Sequence, residues 1–196
     1  MRTIRSVGVF CGSSVGNDPA YAEVAKDLGH ILACNNIRLI YGGGNIGLMG
    51  VIADAVLEKG GDVEGIIPDH LTGRELAHPG VSKMHIVENM SKRKEMLWQL
   101  SDAFITLPGG FGTMDELFEV LTSFQLELGD KPCALLNTNG YFNHLISFLD
   151  HVANEKFMRP EHRANVLVSN DVNKVIDLIS QFRASLPGAN WINELK

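Results

Sequence analysis

A chain of 196 residues is long enough to bury one continuous core and stays below the roughly 250 residues at which cores divide, so a single domain spanning 1–196 is expected. Its 45% hydrophobic and 20% charged residues exclude a disordered chain, and no apolar run approaches the roughly 18 residues that cross a bilayer. A net charge of -6 without a long basic run excludes broad nucleic-acid binding through phosphate neutralisation.

The chain opens with Met1-Arg2-Thr3-Ile4-Arg5 and passes straight into a strand-like run, Val7 to Cys11. That start lacks the long apolar core of a secretory leader, and a cytoplasmic location is the expectation. A helix follows from Pro19 to Ala33, then a strand from Ile37 to Tyr41 and a helix from Ile46 to Glu58, closed by Lys59-Gly60-Gly61. Val63 to Ile67 reads as a strand stopped by Pro68, and His85 to Val87 as a weaker one. Met90 to Leu100 is a helix, with Asn89 or Ser91 as its cap, and Ala103 to Leu107 a strand. After a glycine-rich loop, Leu117 to Leu128 is amphipathic. Pro132 to Leu136 is a further strand, Asn143 to Asn154 and Asp171 to Phe182 are helices, and Val166 to Val168 suits an edge strand. Near-continuous apolar strands separated by helices predict an α/β fold, a Rossmann-like three-layer sandwich around a central parallel sheet. In such sheets ligands sit beyond the carboxyl ends of the strands, where the loops after Cys11, Tyr41, Pro68 and Leu107 should converge.

Three of these loops carry chemistry. Gly12-Ser13-Ser14-Val15-Gly16 offers hydroxyls and pliable backbone to a phosphate or ribose, or is a plain turn. Gly42-Gly43-Gly44-Asn45-Ile46-Gly47 fits the dinucleotide spacing between strand and helix. The acid that should bind ribose at the end of the next strand is missing, because Asp62 precedes that strand, Glu64 lies inside it and Asp69 comes late. No Gly-Lys-Ser/Thr marks a Walker loop. The third loop, Pro108-Gly109-Gly110-Phe111-Gly112-Thr113-Met114-Asp115-Glu116, joins a strand to a helix, and its backbone N–H groups and the helix N-terminus can close on an anion.

Within that loop Glu116 has two readings. Thr113 and Glu116 spell a capping box, while a carboxylate beside an anion-holding loop could bind a sugar hydroxyl, activate water or stabilise a developing cation. Glu119 lies one turn later, near Glu116. Lys92-Arg93-Lys94 opens a helix where cations oppose the dipole, so a neighbouring anion would account for them, as would a solvated charged face. Arg93 presents the planar fork suited to phosphate. Phe111, Trp98, Met90, Met96 and Leu97 could wall a flat base or simply fill the core. Seven histidines and three cysteines show neither His-Glu-x-x-His nor Cys-x-x-Cys, so no metal, disulfide or bound cofactor is expected.

With these residues in view, the chain resembles the LOG ("lonely guy") family of cytokinin riboside 5′-monophosphate phosphoribohydrolases, also labelled lysine decarboxylases. The resemblance is nearly full length. It runs through Val9 to Ser14, Tyr41 to Gly44 with Gly47 to Gly50, Ile66-Ile67-Pro68, Glu75-Leu76-Ala77-His78, Met90 with Arg93-Lys94, the P-G-G-x-G-T-x-x-E motif from Pro108 to Glu116, and Lys131-Pro132 with Asn137 and Gly140-Tyr141. It implies a homodimer with a site beside the dimer axis that cleaves the N-glycosidic bond of a nucleoside 5′-monophosphate. Arg93 and Glu116 would be the catalytic pair. Substrate contacts are implied at Glu75, Lys94 and Thr122, and through Gly109, Gly110, Phe111, Gly112, Thr113, Met114 and Asp115, while Met90 and Glu119 are candidate contacts by their place beside that loop. Gly12, Ser13, Ser14, Gly43 and Gly44 join them from the earlier loops. Ser91 stands where the family usually has histidine, and Asp115 and Phe111 where Glu and Tyr are frequent, which bears on base preference. Rival readings are a non-catalytic nucleotide or cofactor carrier, a pyridoxal-phosphate decarboxylase and a nicotinamide oxidoreductase.

Overall fold

A computed structural model describes residues 2–73 and 77–185. Seven parallel strands form one sheet in the order β4-β3-β2-β1-β5-β6-β7. In chain order the elements are β1 (Ser6–Phe10), α1 (Pro19–Cys34), β2 (Arg38–Tyr41), α2 (Gly47–Glu58), β3 (Val63–Pro68), β4 (Lys83–Val87), α3 (Met90–Leu100), β5 (Ala103–Thr106), α4 (Phe111–Gln125), β6 (Cys133–Leu136), α5 (Asn143–Asn154), α6 (Pro160–Ala164), β7 (Val166–Ser169) and α7 (Val172–Gln181). Burial follows position in the sheet. β1, β5 and β6 are buried at every residue, whereas β4 and β7 lie at the two edges and are only partly covered. The weak strand signal at His85 to Val87 and the edge assignment at Val166 have this common cause.

Helices cover both faces, as the sandwich reading requires. One apolar layer joins Leu28 and Leu32 of α1, Ile52 and Val56 of α2 and Ile179 of α7 to the sheet, and the other joins Leu97, Leu117, Val120, Phe142 and Leu149. Each such side chain contributes about 1.5–3 kcal/mol when taken from water. Caps set the helix starts: Asp18 accepts from the Ala20 N–H ahead of Pro19, and Asn89, rather than Ser91, accepts from the Lys92 N–H. Among the described residues no helix is long and apolar enough to cross a membrane.

Two local expectations change. α6, five residues behind a proline, carries too little periodicity to be read as a helix. α4 starts at Phe111, six residues before Leu117, with Gly110 as its N-cap and no side-chain cap bond. The glycine loop therefore includes the first turn of the helix itself.

The chain leaves β1 toward β2, β3 and β4, then returns to place β5 on the other side of β1. The loops after β1 and β5 consequently diverge from neighbouring strand ends, and a crevice opens between them.

Candidate active site

Main-chain bonds build the floor of that crevice. The strands end level, with Val9 beside Ile105 and Phe10 beside Thr106. The Leu107 N–H donates to the Phe10 carbonyl at 2.9 Å, Gly12 N–H to the Pro108 carbonyl at 3.0 Å, and Leu48 N–H to the Gly12 carbonyl at 3.0 Å. Above lies a cavity of ≈250 Å³ that brings together Gly12, Ser13, Met90, Arg93, Gly110, Phe111, Gly112, Thr113 and Glu116. The first intrahelical bond of α4 runs from Met114 N–H to Gly110 carbonyl, so the preceding N–H groups of the first turn face the cavity end of the dipole without a side-chain cap. Gly110 and Gly112 have open space where a β-carbon would stand, and Phe111 is 97% exposed at the mouth.

The helix start resolves the two readings of Glu116. A capping box needs the carboxylate at the third helical residue, but that place is held by Thr113, and Glu116 sits a turn deeper. There its side chain is 11% exposed, with its Oε1 3.7 Å from Nη2 of Arg93, which is 7% exposed. A direct charge-assisted bond would close to about 2.7–2.9 Å. The observed spacing holds two opposite charges together in a shielded place beside the cavity.

Arg93 reaches Glu116 because α3 begins at Met90, which puts residue 93 one turn in, with Nη1 toward the Met90 sulfur at 3.8 Å. Gly42, at the end of β2, admits the guanidinium: a β-carbon there would lie 2.0 Å from Nη2. The basic cluster divides by helical rotation of about 100° per residue. Lys92 pairs with Glu95 at 2.8 Å on the surface, and Lys94 pairs with Asp115 at 3.3 Å and with Glu119. Glu119, more than Asp115, holds the Lys94 ammonium above the usual lysine range.

Other expected contacts lie elsewhere. Glu116 also walls a second cavity, ≈370 Å³, with Ser91, Lys94, Trp98 and Glu119, where Trp98 stacks on Phe104 at 5.7 Å. Ser14 and Gly109 line a third, ≈300 Å³, on the far side of the Gly12 contact. Thr122 is turned away from Glu116 by six residues and lines an apolar cavity against α5. Met114 packs on the core, Asp115 is exposed, and Gly43 faces Met84 and Ile67 beneath the site. Gly44 bridges to Ala77, and Glu75 lies outside the described residues. At Gly42 to Gly47 the β1 loop covers the start of α2: Gly47, at φ 62°, packs on the Ser13 backbone and the Leu48 N–H already donates to the Gly12 carbonyl, which disfavours the dinucleotide reading.

The sequence reading missed Val9, Cys11, Gly42, Met49 and Leu71 as lining residues. Burial first, and Glu116 second, push the Cys11 thiol well above its usual range, so it stands in the wall as a neutral thiol. Its place as the residue just beyond β1 was the available signal.

The family model described as "Possible lysine decarboxylase" matches residues 49–179. A cytokinin riboside 5′-monophosphate phosphoribohydrolase of Rhodococcoides fascians is 45% identical over 178 residues, covering 90% of each chain. One from Arabidopsis thaliana is 44% identical over 178 residues, covering 91% of this chain and 83% of its own. Among solved structures, the molybdenum cofactor binding protein of Rippkaea orientalis superposes with a TM-score of 0.69 at 24% identity, over 91% of this chain and 96% of its own, a likeness of fold.

Proposed function

The chain belongs to the LOG family of cytokinin riboside 5′-monophosphate phosphoribohydrolases, and on that footing we propose that it hydrolyses the N-glycosidic bond of nucleoside 5′-monophosphates, a cytokinin riboside 5′-monophosphate, AMP or both. The products are the free base and ribose 5-phosphate. The observation that carries this reading is the shielded Arg93–Glu116 pair facing an uncapped helix start within one cavity.

In the proposed mechanism the 5′-phosphate sits on the first-turn N–H groups of α4, and that remote binding positions the ribose. The bond between C1′ and the base nitrogen breaks, its electron pair leaving with the base, and oxocarbenium character develops on the sugar. Glu116 stabilises that charge and orients the water. Water oxygen bonds to C1′, and its proton ends on the base. Arg93 holds phosphate or assists the departing base. A decarboxylase acting through a Schiff base needs a neutral lysine amine, whereas Lys94 is kept an ammonium by Glu119 and Asp115.

Incubation with AMP and with an N6-prenylated AMP is expected to release base and ribose 5-phosphate in equal amounts. Tight binding of both without release from either would overturn the hydrolase reading in favour of a carrier.

We infer also that the chain works as a homodimer in the cytoplasm. Of the apolar residues on α4, Leu117, Val120 and Phe124 are buried within the chain, but Phe118 is exposed, as are Phe148 and Phe157 nearby. A second copy is the proposed cover. Three cysteines, all unbonded, suit a reducing compartment. Light scattering should report twice the chain mass of 21.5 kDa; a strict monomer overturns the dimer.

A further inference from the structure

The loop between β6 and α5 reaches the glycine motif that follows the neighbouring strand β5. The Tyr141 hydroxyl donates to the Gly109 carbonyl at 2.7 Å. Its own loop is fixed at several points: the Asn137 side-chain oxygen accepts from Phe142 N–H at 2.7 Å, its amide donates to Asn143 at 2.9 Å, and Asn139 donates to the α1 cap residue Asp18 at 2.7 Å. The Tyr141 ring packs edge-on against Tyr21 and Phe142, with centroids 5.7 and 5.0 Å away. The hydroxyl is thus delivered from a rigid support.

Gly109 is also gripped from the opposite side. A β-carbon there would lie 2.1 Å from the Thr113 hydroxyl and 2.8 Å from the Gly12 nitrogen. Gly110, in contrast, has nothing within 4 Å of that position. A peptide between two glycines rotates with little steric resistance, so its orientation must come from a partner. No cis peptide occurs among the described residues, and across a trans peptide the N–H points opposite the carbonyl. With the Gly109 carbonyl held toward Tyr141, the Gly110 N–H is turned to the opposite side of the peptide.

We propose that Tyr141 is a positioning residue for the 5′-phosphate: by holding the Gly109 carbonyl it fixes the 109–110 peptide so that the Gly110 N–H joins the anion-binding N–H groups of α4. A rotated peptide would present a carbonyl oxygen to the phosphate instead. The assignment rests on the phosphoribohydrolase reading for the identity of the anion.

Tyr141→Phe keeps the ring and both aromatic contacts while removing the hydroxyl. The expected result is a rise of about 5- to 10-fold in KM for AMP and an equal rise in the Kd of ribose 5-phosphate measured by calorimetry, the effect of one neutral hydrogen bond. kcat should stay within about twofold, and inhibition by free adenine should be unchanged. Equal weakening of adenine and ribose 5-phosphate would mark a general loosening of the site and overturn the proposal. So would an unchanged Kd for ribose 5-phosphate, or no binding of it by the parent protein. If the parent binds ribose 5-phosphate but does not cleave AMP, the hydrolase reading falls while the Kd comparison still decides the role of Tyr141.

Discussion

Glu116→Gln is expected to lower kcat by about 10³-fold or more while leaving the fold intact. The carboxylate is asked to face positive charge that exists only as the base departs, in a place shielded from water. Fixed electrostatic groups of this kind account for about 10²–10³ in rate, and a group that also orients the attacking water for proton transfer adds to it. Glutamine has the same shape and keeps an acceptor oxygen toward Arg93, so the chain should still unfold cooperatively, with a thermal midpoint lowered by loss of the charge opposite the buried guanidinium. The KM for AMP should change little, because the phosphate is held elsewhere. Turnover close to that of the parent protein, measured as ribose 5-phosphate formed, would remove Glu116 from the chemistry.

Gly42→Ala is the second large effect, expected to lower kcat about 100-fold with little loss of stability. The added methyl would stand 2.0 Å from Arg93 Nη2 and 3.1 Å from its Cζ, so the guanidinium must shift by more than 1 Å. The atoms that give way are the far end of a flexible side chain, which makes the change cheap for folding. It is expensive for catalysis, where a 1 Å misplacement can cost about 10²-fold. Arg93→Ala should cut activity at least as far but through a different route. Truncation leaves the buried Glu116 carboxylate without this cation, and breaking such a pair destabilises by about 3 kcal/mol or more. Unfolding and turnover measured on both variants separate the cases: similar melting points for Gly42→Ala and the parent, with a lower one for Arg93→Ala. Full activity in Gly42→Ala would show that the guanidinium position does not matter.

Much of the architecture was legible from apolar runs of four to six residues between longer amphipathic stretches, because strands buried on both faces have no polar phase to hide them. β1, β5 and β6 are of that kind. The order of strands was not legible, since nothing local records that β5 returns beside β1. The start of α4 was misread for a physical reason: first-turn residues need no intrahelical acceptor for their N–H groups, so Phe111-Gly112-Thr113 can open the helix without high helical propensity. That error created the apparent capping box. Arg93 and Glu116 were singled out because a guanidinium and a carboxylate beside a glycine loop are informative residue types, and the resemblance paired them. Gly42 and Cys11 were passed over because their contribution lies in what they leave room for or keep dry. Thr122, a contact implied by the resemblance, lies with Phe118 and Phe148 along the cavity against α5.

The pocket beside Gly42 ties two distant codons to one another. The guanidinium of Arg93 fills volume that any other residue at position 42 would claim, so a change at 42 is felt at 93 although Gly42 supplies no side-chain atom there. A lineage that gave up the arginine would be released from the glycine as well, and in descendants that have abandoned the activity the two positions should drift as a pair.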